Sequence, residues 1–214
     1  MNDGKLGVCI IGCGYMGGIH AEGWRQVPQA EIVAVVDILE DRAQRFAELY
    51  GLQGYESDYR QAAARPEVDV VSVCTPTYLH AEMTTFCARL GKHVLCEKPI
   101  ALNLDQAMQI VAAEKTQSVK LGVGFMRRFS PIMETLRARL ASGEIARPVI
   151  YYASDIRQIR PKLAMHDAQQ NGGPIIDMAV HLIDTWRYIF QSEAVRVSAQ
   201  GLTLAQGRPE FRQI

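Results

Sequence analysis

The sequence lacks the features that would place it in a membrane, on nucleic acid or in a disulfide scaffold. No apolar run approaches the ~20 residues that a membrane-spanning helix needs. Charge of one sign is not in excess: 23 Lys plus Arg stand against 23 Asp plus Glu, a formal net charge of zero. A general basic field for nucleic acid or an anionic membrane is therefore excluded. The five cysteines, Cys9, Cys13, Cys74, Cys87 and Cys96, are odd in number, and no two have CxxC spacing. That argues against a disulfide framework or a zinc site and predicts free thiols in a reducing compartment. The opening MNDGKLGVCI has no basic region, apolar stretch or cleavage site of a secretory signal, so the expected location is cytoplasmic. Internal repeats and low-complexity tracts are also missing.

What is present is core material. Hydrophobic residues make up 48% of the 214 residues and charged residues 21%, enough for one large domain or two small ones. Short β-branched runs alternate with amphipathic stretches. Leu6–Ile11, Glu31–Asp37, Val68–Val73, His93–Cys96 and Val119–Val123 read as strands. Tyr15–Val27, Glu40–Tyr50, Leu79–Leu90 and Leu104–Lys115 read as helices, with Asn103 an N-cap and Gly91 closing its helix. Strand, helix, strand in repetition predicts an α/β fold, a doubly wound parallel sheet buried on both faces. The boundary falls near Gly124, giving domains 1–123 and 124–214. Beyond it the pattern becomes α+β. Pro131–Ser142 reads as a helix, Val149–Asp155 as a strand, 156–173 as a polar segment, Pro174–Phe190 as an apolar helix and Val195–Ala205 as a strand.

The turn Gly12-Cys13-Gly14-Tyr15-Met16-Gly17 follows a strand and opens a helix. Gly12 suits the tight turn, Gly14 a close approach of a pyrophosphate to the backbone, and Gly17 close helix–strand packing. The helix N-terminus adds free N–H groups and the positive end of its dipole. Asp37 ends the next strand, where a carboxylate can accept both hydroxyls of an adenosine ribose. This context predicts dinucleotide binding. Asp37 would repel a 2′-phosphate, so NAD is favoured over NADP, with nearby Arg42 as a counterweight. A packing turn and an S-adenosylmethionine site are the competing readings.

Three further segments carry polar groups in unusual places. Cys74-Thr75-Pro76-Thr77-Tyr78-Leu79-His80 lies at the carboxyl end of a strand, where ligands bind open α/β sheets. Pro76 stops the strand and Thr77 can cap the next helix; on chemistry alone His80 is a helix-start residue before it is a catalyst. Cys96-Glu97-Lys98-Pro99 brings two charges out of a buried strand. It reads either as an exposed turn or as a site where the Lys98 ammonium stabilises a developing alkoxide. On the apolar helix, Asp177, His181 and Asp184 share one face at ~100° per residue. That stripe suits acid–base chemistry, with a buried polar network or a metal pair as the alternatives.

Together these residues resemble the Gfo/Idh/MocA oxidoreductase family. The matching pieces are GCGYMGGIHAEGW, VVD ending at Asp37, VSVCTPTYLHAEM, GKHVLCEKPIALN, GVGFMRRFSP and GGPIIDMAVHLIDTWRYIFQ, in family order. The resemblance implies an N-terminal Rossmann domain and a second domain with an open antiparallel sheet. It implies hydride transfer between NAD(P) and a hydroxyl-bearing carbon of a sugar, cyclitol or related polyol, with inositol dehydrogenases nearest in pattern. It implies a catalytic set of Lys98, Asp177 and His181. His181 removes the hydroxyl proton, while Lys98 and Asp177 hold the oxygen and relay charge. It places Gly12, Gly14, Tyr15, Met16, Gly17, Asp37, Thr75, Pro76, His80, Glu97 and Lys98 at the cofactor, and Arg127, Asp155 and Asp184 at the substrate, with Met126 beside them. No metal is implied. Chains of this family run well beyond Ile214, so the later strands that complete the pocket and the dimer face are missing from this sequence, and a homo-oligomer is expected if the C-terminal sheet is complete. The competing functions are a non-catalytic NAD-binding protein, a fragment of a longer dehydrogenase, and a cofactor-assisted elimination or glycosidic cleavage.

Overall fold

The computed structural model describes residues 4–154, 168–173 and 175–200, in two compact units divided between Gly124 and Phe125.

The first unit is an all-parallel sheet. Its strands are β1 (Leu6–Ile11), β2 (Ala30–Val36), β3 (Tyr55–Glu56), β4 (Val70–Val73), β5 (His93–Cys96) and β6 (Leu121–Val123), in the order β3-β2-β1-β4-β5-β6. The helices are α1 (Tyr15–Arg25), α2 (Glu40–Tyr50), α3 (Tyr59–Ala64), α4 (Thr77–Arg89) and α5 (Leu104–Gln117). The apolar strands serve two faces at once. On β1, Val8 and Ile10 join Ala21 of α1 and Phe46 of α2 in one core, while Cys9 and Ile11 join Ala62 of α3 and Cys87 of α4 in the other. Side chains alternate across a strand, so a run without polar interruption needs cover on both sides. Ser72 is the polar residue on β4, and it is fully buried because its hydroxyl accepts the Trp24 indole N–H at 2.7 Å.

Local sequence explains the helix ends. Asn103 accepts the Gln106 N–H at 3.0 Å, and the Gln106 side chain accepts the Leu102 N–H in return. Gly91 follows α4 with φ +76°, the left-handed conformation that closes a helix. The expected cap at Thr77 is corrected: α4 begins at Thr77 itself, Pro76 is the capping position, and no side-chain cap bond forms. β3 and α3 are unanticipated. Two residues are too few for a period, and α3 is marked mainly by Asp58, which accepts the Arg60 N–H at 2.9 Å.

The second unit contains a 3-10 turn at Met126–Phe129, α6 (Pro131–Ala141), α7 (Ala168–Asn171), a π-helical turn at Ile175–Ala179 and α8 (Val180–Phe190). Ser130 caps α6, with Pro131 in its first turn. The apolar helix thus departs from the regular α-helix expected over Pro174–Phe190. Its first turn is wound wider, with the Ile176 side chain lying where a Cβ on Gly172 would sit, 2.5 Å away. The expected strands are not formed within 149–154 or 195–200; Asp155 and 201–205 lie outside the described residues. A strand needs a neighbour for its N–H and C=O groups. Val149, Ile150, Tyr152, Val195 and Val197 are instead largely exposed.

Candidate active site

Strand order reverses direction between β1 and β4, which neighbour each other at the centre of the sheet. Ligands of open α/β sheets bind outside the carboxyl ends of the strands at such a point. The sheet's hydrogen bonding runs one residue past each strand there. Gly12 N–H donates to the Val36 carbonyl at 2.7 Å, Cys74 N–H to Ile11 at 2.8 Å, Glu97 N–H to Val73 at 2.9 Å and Gly124 N–H to Cys96 at 2.8 Å. The glycine turn, Asp37, Thr75–Pro76 and Glu97–Lys98–Pro99 therefore line one edge.

The three motif glycines differ in what holds them. Gly12 has φ +104°, and a Cβ there would lie 2.7 Å from the Cys74 carbonyl oxygen. A Cβ on Gly17 would lie 2.0 Å from the Gly12 oxygen. Around Gly14, at the N-cap of α1, nothing of the chain lies within 4 Å of that position, and no side chain caps the helix. This open approach, with the uncapped first turn of α1, fits the pyrophosphate of a dinucleotide. Tyr15 is exposed and Met16 half-buried beside it.

Asp37 is buried, and its carboxylate is held from two sides. One oxygen accepts the Cys13 N–H at 3.1 Å; the other accepts the Leu39 N–H at 3.0 Å. Arg42 approaches at 3.3 Å with its own side chain half-exposed. The carboxylate thus ties the glycine turn to the end of β2. Beside it Cys13 is an inert thiol: burial, with the Asp37 charge, pushes its pKa up to about 12.

Glu97 faces inward. One oxygen lies 3.0 Å from His20 Nε2 on α1, the other accepts the Lys98 N–H at 3.1 Å, and a Cβ on Gly124 would approach the first to 2.6 Å. It braces three elements. Lys98 is half-buried, and the Lys98–Pro99 peptide is cis. His20 is a residue that sequence reasoning missed; its three-residue spacing from Gly17 is the one signal that it shares the sheet-facing side of α1.

His80, expected at the cofactor, is 1% exposed, with Nδ1 2.7 Å from the Pro99 carbonyl oxygen and Nε2 2.8 Å from that of Thr75. Burial pushes the ring's pKa below its ordinary 6.5, against the pull of the two carbonyls and the Glu97 carboxylate. The unfolded chain therefore takes up the proton first. Stability from this ring is complete above about pH 6.5 and is lost as the pH falls toward the lower folded value. Urea unfolding at about pH 7.5 and about pH 5 should show the loss, and His80→Gln should flatten that dependence.

In the second unit Asp177 lies in the π turn and His181 in the first turn of α8, its ring edge-on to Phe125 with centroids 6.4 Å apart. Asp184 is 5% exposed, and both its oxygens are engaged by Arg128, with Nε at 2.9 and 3.1 Å and Nη2 in a second contact. This bond holds the Arg128 guanidinium above its usual pKa. Arg128 also stacks over Phe125 and Tyr188. It is a second missed residue; Arg127, expected at the substrate, sits next to it half-buried, and Asp155 lies outside the described residues. Among the described residues no cluster of His, Cys, Asp or Glu is arranged to hold a metal ion, and no helix is long and apolar enough to cross a membrane. A cavity of about 880 Å³ lies away from this chemistry, lined by Lys5, Glu31, Arg65 and Asp69 at the opposite end of the sheet. Its Arg65 is paired with Glu56 and Glu67, and its Asp69 accepts the Gly7 N–H.

Comparison with known proteins agrees with this geometry. A family model described as an oxidoreductase family with an NAD-binding Rossmann fold matches residues 6–125, and the GFO/IDH/MocA C-terminal domain matches 133–212. An uncharacterized oxidoreductase, YrbE, of Bacillus subtilis is 33% identical over 205 residues, covering 96% of this chain and 59% of its own. A myo-inositol 2-dehydrogenase of Thermotoga maritima is 34% identical over 195 residues, covering 91% and 58%. Among solved structures, a probable dehydrogenase from Thermotoga maritima superposes with a TM-score of 0.78 at 32% identity, over 88% of this chain and 56% of that one. A levoglucosan dehydrogenase in complex with NADH also reaches 0.78, at 26% identity, over 86% and 54%. The chain spans a little under six-tenths of the length of the relatives it matches. Two adjoining family models and relatives above 30% identity along nearly its whole length establish that the chain belongs to the Gfo/Idh/MocA oxidoreductase family, with an NAD-binding Rossmann domain as its first unit.

Proposed function

We propose that this chain is the NAD-binding and proton-handling part of a dehydrogenase that moves a hydride between the nicotinamide and a hydroxyl-bearing carbon of a cyclitol, sugar or related polyol of inositol type. The observation that carries the reading is the gathering of the open Gly14 turn, Asp37 and Lys98 at one sheet edge. The inositol dehydrogenases among the relatives support the substrate class.

Bound NAD supplies the hydride acceptor; the chain's residues hold and move the proton. The Lys98 ammonium donates to the substrate oxygen and offsets its developing negative charge. The His181 imidazole takes the hydroxyl proton, and Asp177 orients that ring and stabilises its charged form. Asp184 acts through Arg128, keeping α8 fixed on the 3-10 turn that carries Arg127. On the same reading the exposed apolar segments around Ile150 and Val197, which form no strand as they stand, pair into an antiparallel sheet when neighbouring strands are supplied, and copies of the chain associate through it.

The test is NADH formation on supplying NAD with a panel of inositols, pyranoses and open-chain polyols. A cyclitol or sugar that yields NADH is the expected result. NAD binding with no NADH from any member overturns the reading in favour of a non-catalytic NAD-binding protein.

Asp37 sets the expected preference for NAD over NADP, because a 2′-phosphate brought against a buried carboxylate meets like charge. Asp37→Ser should raise the KM for NAD by about tenfold or more and make NADP usable, since Arg42 is then free to meet the extra phosphate. Steady-state kinetics with both cofactors checks this. An unchanged preference would remove Asp37 from the ribose site.

A further inference from the structure

We infer that His80 is a positioning residue, a bridge between the two loops that carry Thr75 and Lys98, and that Lys98 is held in place for chemistry by imidazoles on both sides. The inference rests on the reading of Lys98 as the group that meets the substrate oxygen.

The geometry is specific to a bridge. His80 leaves the first turn of α4 and points into the protein, with both ring nitrogens directed at main-chain carbonyls from different strand ends. The Thr75 carbonyl, 2.8 Å from Nε2, belongs to the loop after β4; the Pro99 carbonyl, 2.7 Å from Nδ1, follows Lys98 directly. With the ring 1% exposed, water cannot take its place at either carbonyl. A ring serving packing alone needs one such partner; this one spans two loops. The preceding side of Lys98 is held as well. Its N–H donates to Glu97, and Glu97 is held by His20. The main chain of Lys98 is thus pinned immediately before and immediately after the residue. The charged groups that bear on the ring are Glu97, which favours its protonated form, and Lys98, which opposes it.

A neutral imidazole has one N–H to donate and an imidazolium has two. The ring therefore always holds at least one loop. With the N–H on Nδ1, removing the ring frees the Pro99 carbonyl, and Lys98 loses its fixed origin without losing its charge. Reacting groups misplaced by about 1 Å can cost about 10²-fold in rate.

The experiment compares His80→Ala, His80→Gln, Lys98→Ala and the double variant His80→Ala/Lys98→Ala in the full chain. Four quantities are read: kcat, NAD affinity, melting temperature, and amide hydrogen exchange at 96–100. His80→Ala should lower kcat by about 10²-fold with NAD affinity within about threefold. His80→Gln keeps one donor and should recover about tenfold of that loss. In the double variant His80→Ala should cost little beyond Lys98→Ala, because it acts through that residue. Exchange at Lys98 should quicken by about tenfold or more in His80→Ala and return toward the parent rate in His80→Gln. That exchange readout needs no turnover. Unchanged Lys98 exchange in a folded His80→Ala chain overturns the bridge. So does a parallel fall of kcat, NAD affinity and melting temperature that glutamine does not rescue. If His80→Ala does not fold, the Gln variant decides alone: kcat about tenfold below the parent with NAD affinity within about threefold and quicker Lys98 exchange supports the bridge, while parent-like kcat and exchange, or a loss of NAD affinity in step with kcat, overturns it. Failure of the Lys98 reading is separate: Lys98→Ala would then turn over normally while the exchange result still stands.

Discussion

Lys98→Ala is expected to lower kcat by about 10²–10³-fold while leaving NAD affinity within a few-fold. Lys98 leaves the carboxyl end of β5 on the same edge as the Gly14 turn, and its backbone is fixed by Glu97. An ammonium held in a half-buried place meets a developing alkoxide with little reorganisation. The alanine chain keeps the glycine turn and Asp37, the parts proposed to hold the dinucleotide. The loss should therefore fall on the chemical step. Lys98→Arg should recover little, because a planar guanidinium presents its charge in a different shape and at a different reach. His181→Ala should produce a loss of similar size, and if the two serve one proton transfer as proposed, their losses together should be far from additive. Steady-state kinetics against NAD titration separates these terms. An equal loss of turnover and NAD affinity would sink the assignment.

Gly14→Ala and Gly17→Ala should behave as opposites although they lie in one short motif. At Gly14 the added methyl meets nothing of the chain, and the backbone, at φ −90°, is ordinary for alanine. Melting temperature should hardly move. The methyl occupies the space through which a pyrophosphate reaches the helix end, so NAD affinity should fall by about tenfold or more. At Gly17 the methyl would sit 2.0 Å from the Gly12 oxygen, and that oxygen belongs to a backbone whose own N–H is fixed to Val36. Backbone cannot swing aside as a long side chain can. Gly17→Ala should cost about 3 kcal/mol of stability, seen in urea unfolding before any ligand is added. A Gly14→Ala chain with unaltered NAD affinity would show that the open space is not the phosphate path.

The sheet is legible in the sequence because its strands carry apolar side chains for two faces. Leu6–Ile11 and His93–Cys96 form as read, and Glu31–Asp37 differs only at its ends. The glycine turn is legible because each glycine answers a local demand. Relations between distant residues are not. His20 and Glu97 are 77 residues apart, and Arg128 and Asp184 are 56 apart. No periodicity in either segment announces the partner. His80 looks from its neighbours like a helix-start residue with a free ring; only the folded chain brings two carbonyls to it. In the second unit, β-branched runs such as Val149–Ile150 read as strands, but intrinsic preference does not form a strand without a neighbouring one.

The wide first turn ahead of α8 makes the aim of Asp177 depend on a count of residues and not on their kind. A π turn is the outcome of one residue more than an α-helix would use over the same rise. Removing a single residue between Ile175 and Ala179 would close the turn to regular winding; the helix beyond it keeps its phase, and the residues inside the turn shift about the axis. Asp177 would keep its identity, its neighbours in sequence and its helical state, yet look in another direction from His181. Substituting Asp177 removes its carboxylate; a one-codon deletion beside it keeps the carboxylate and moves it.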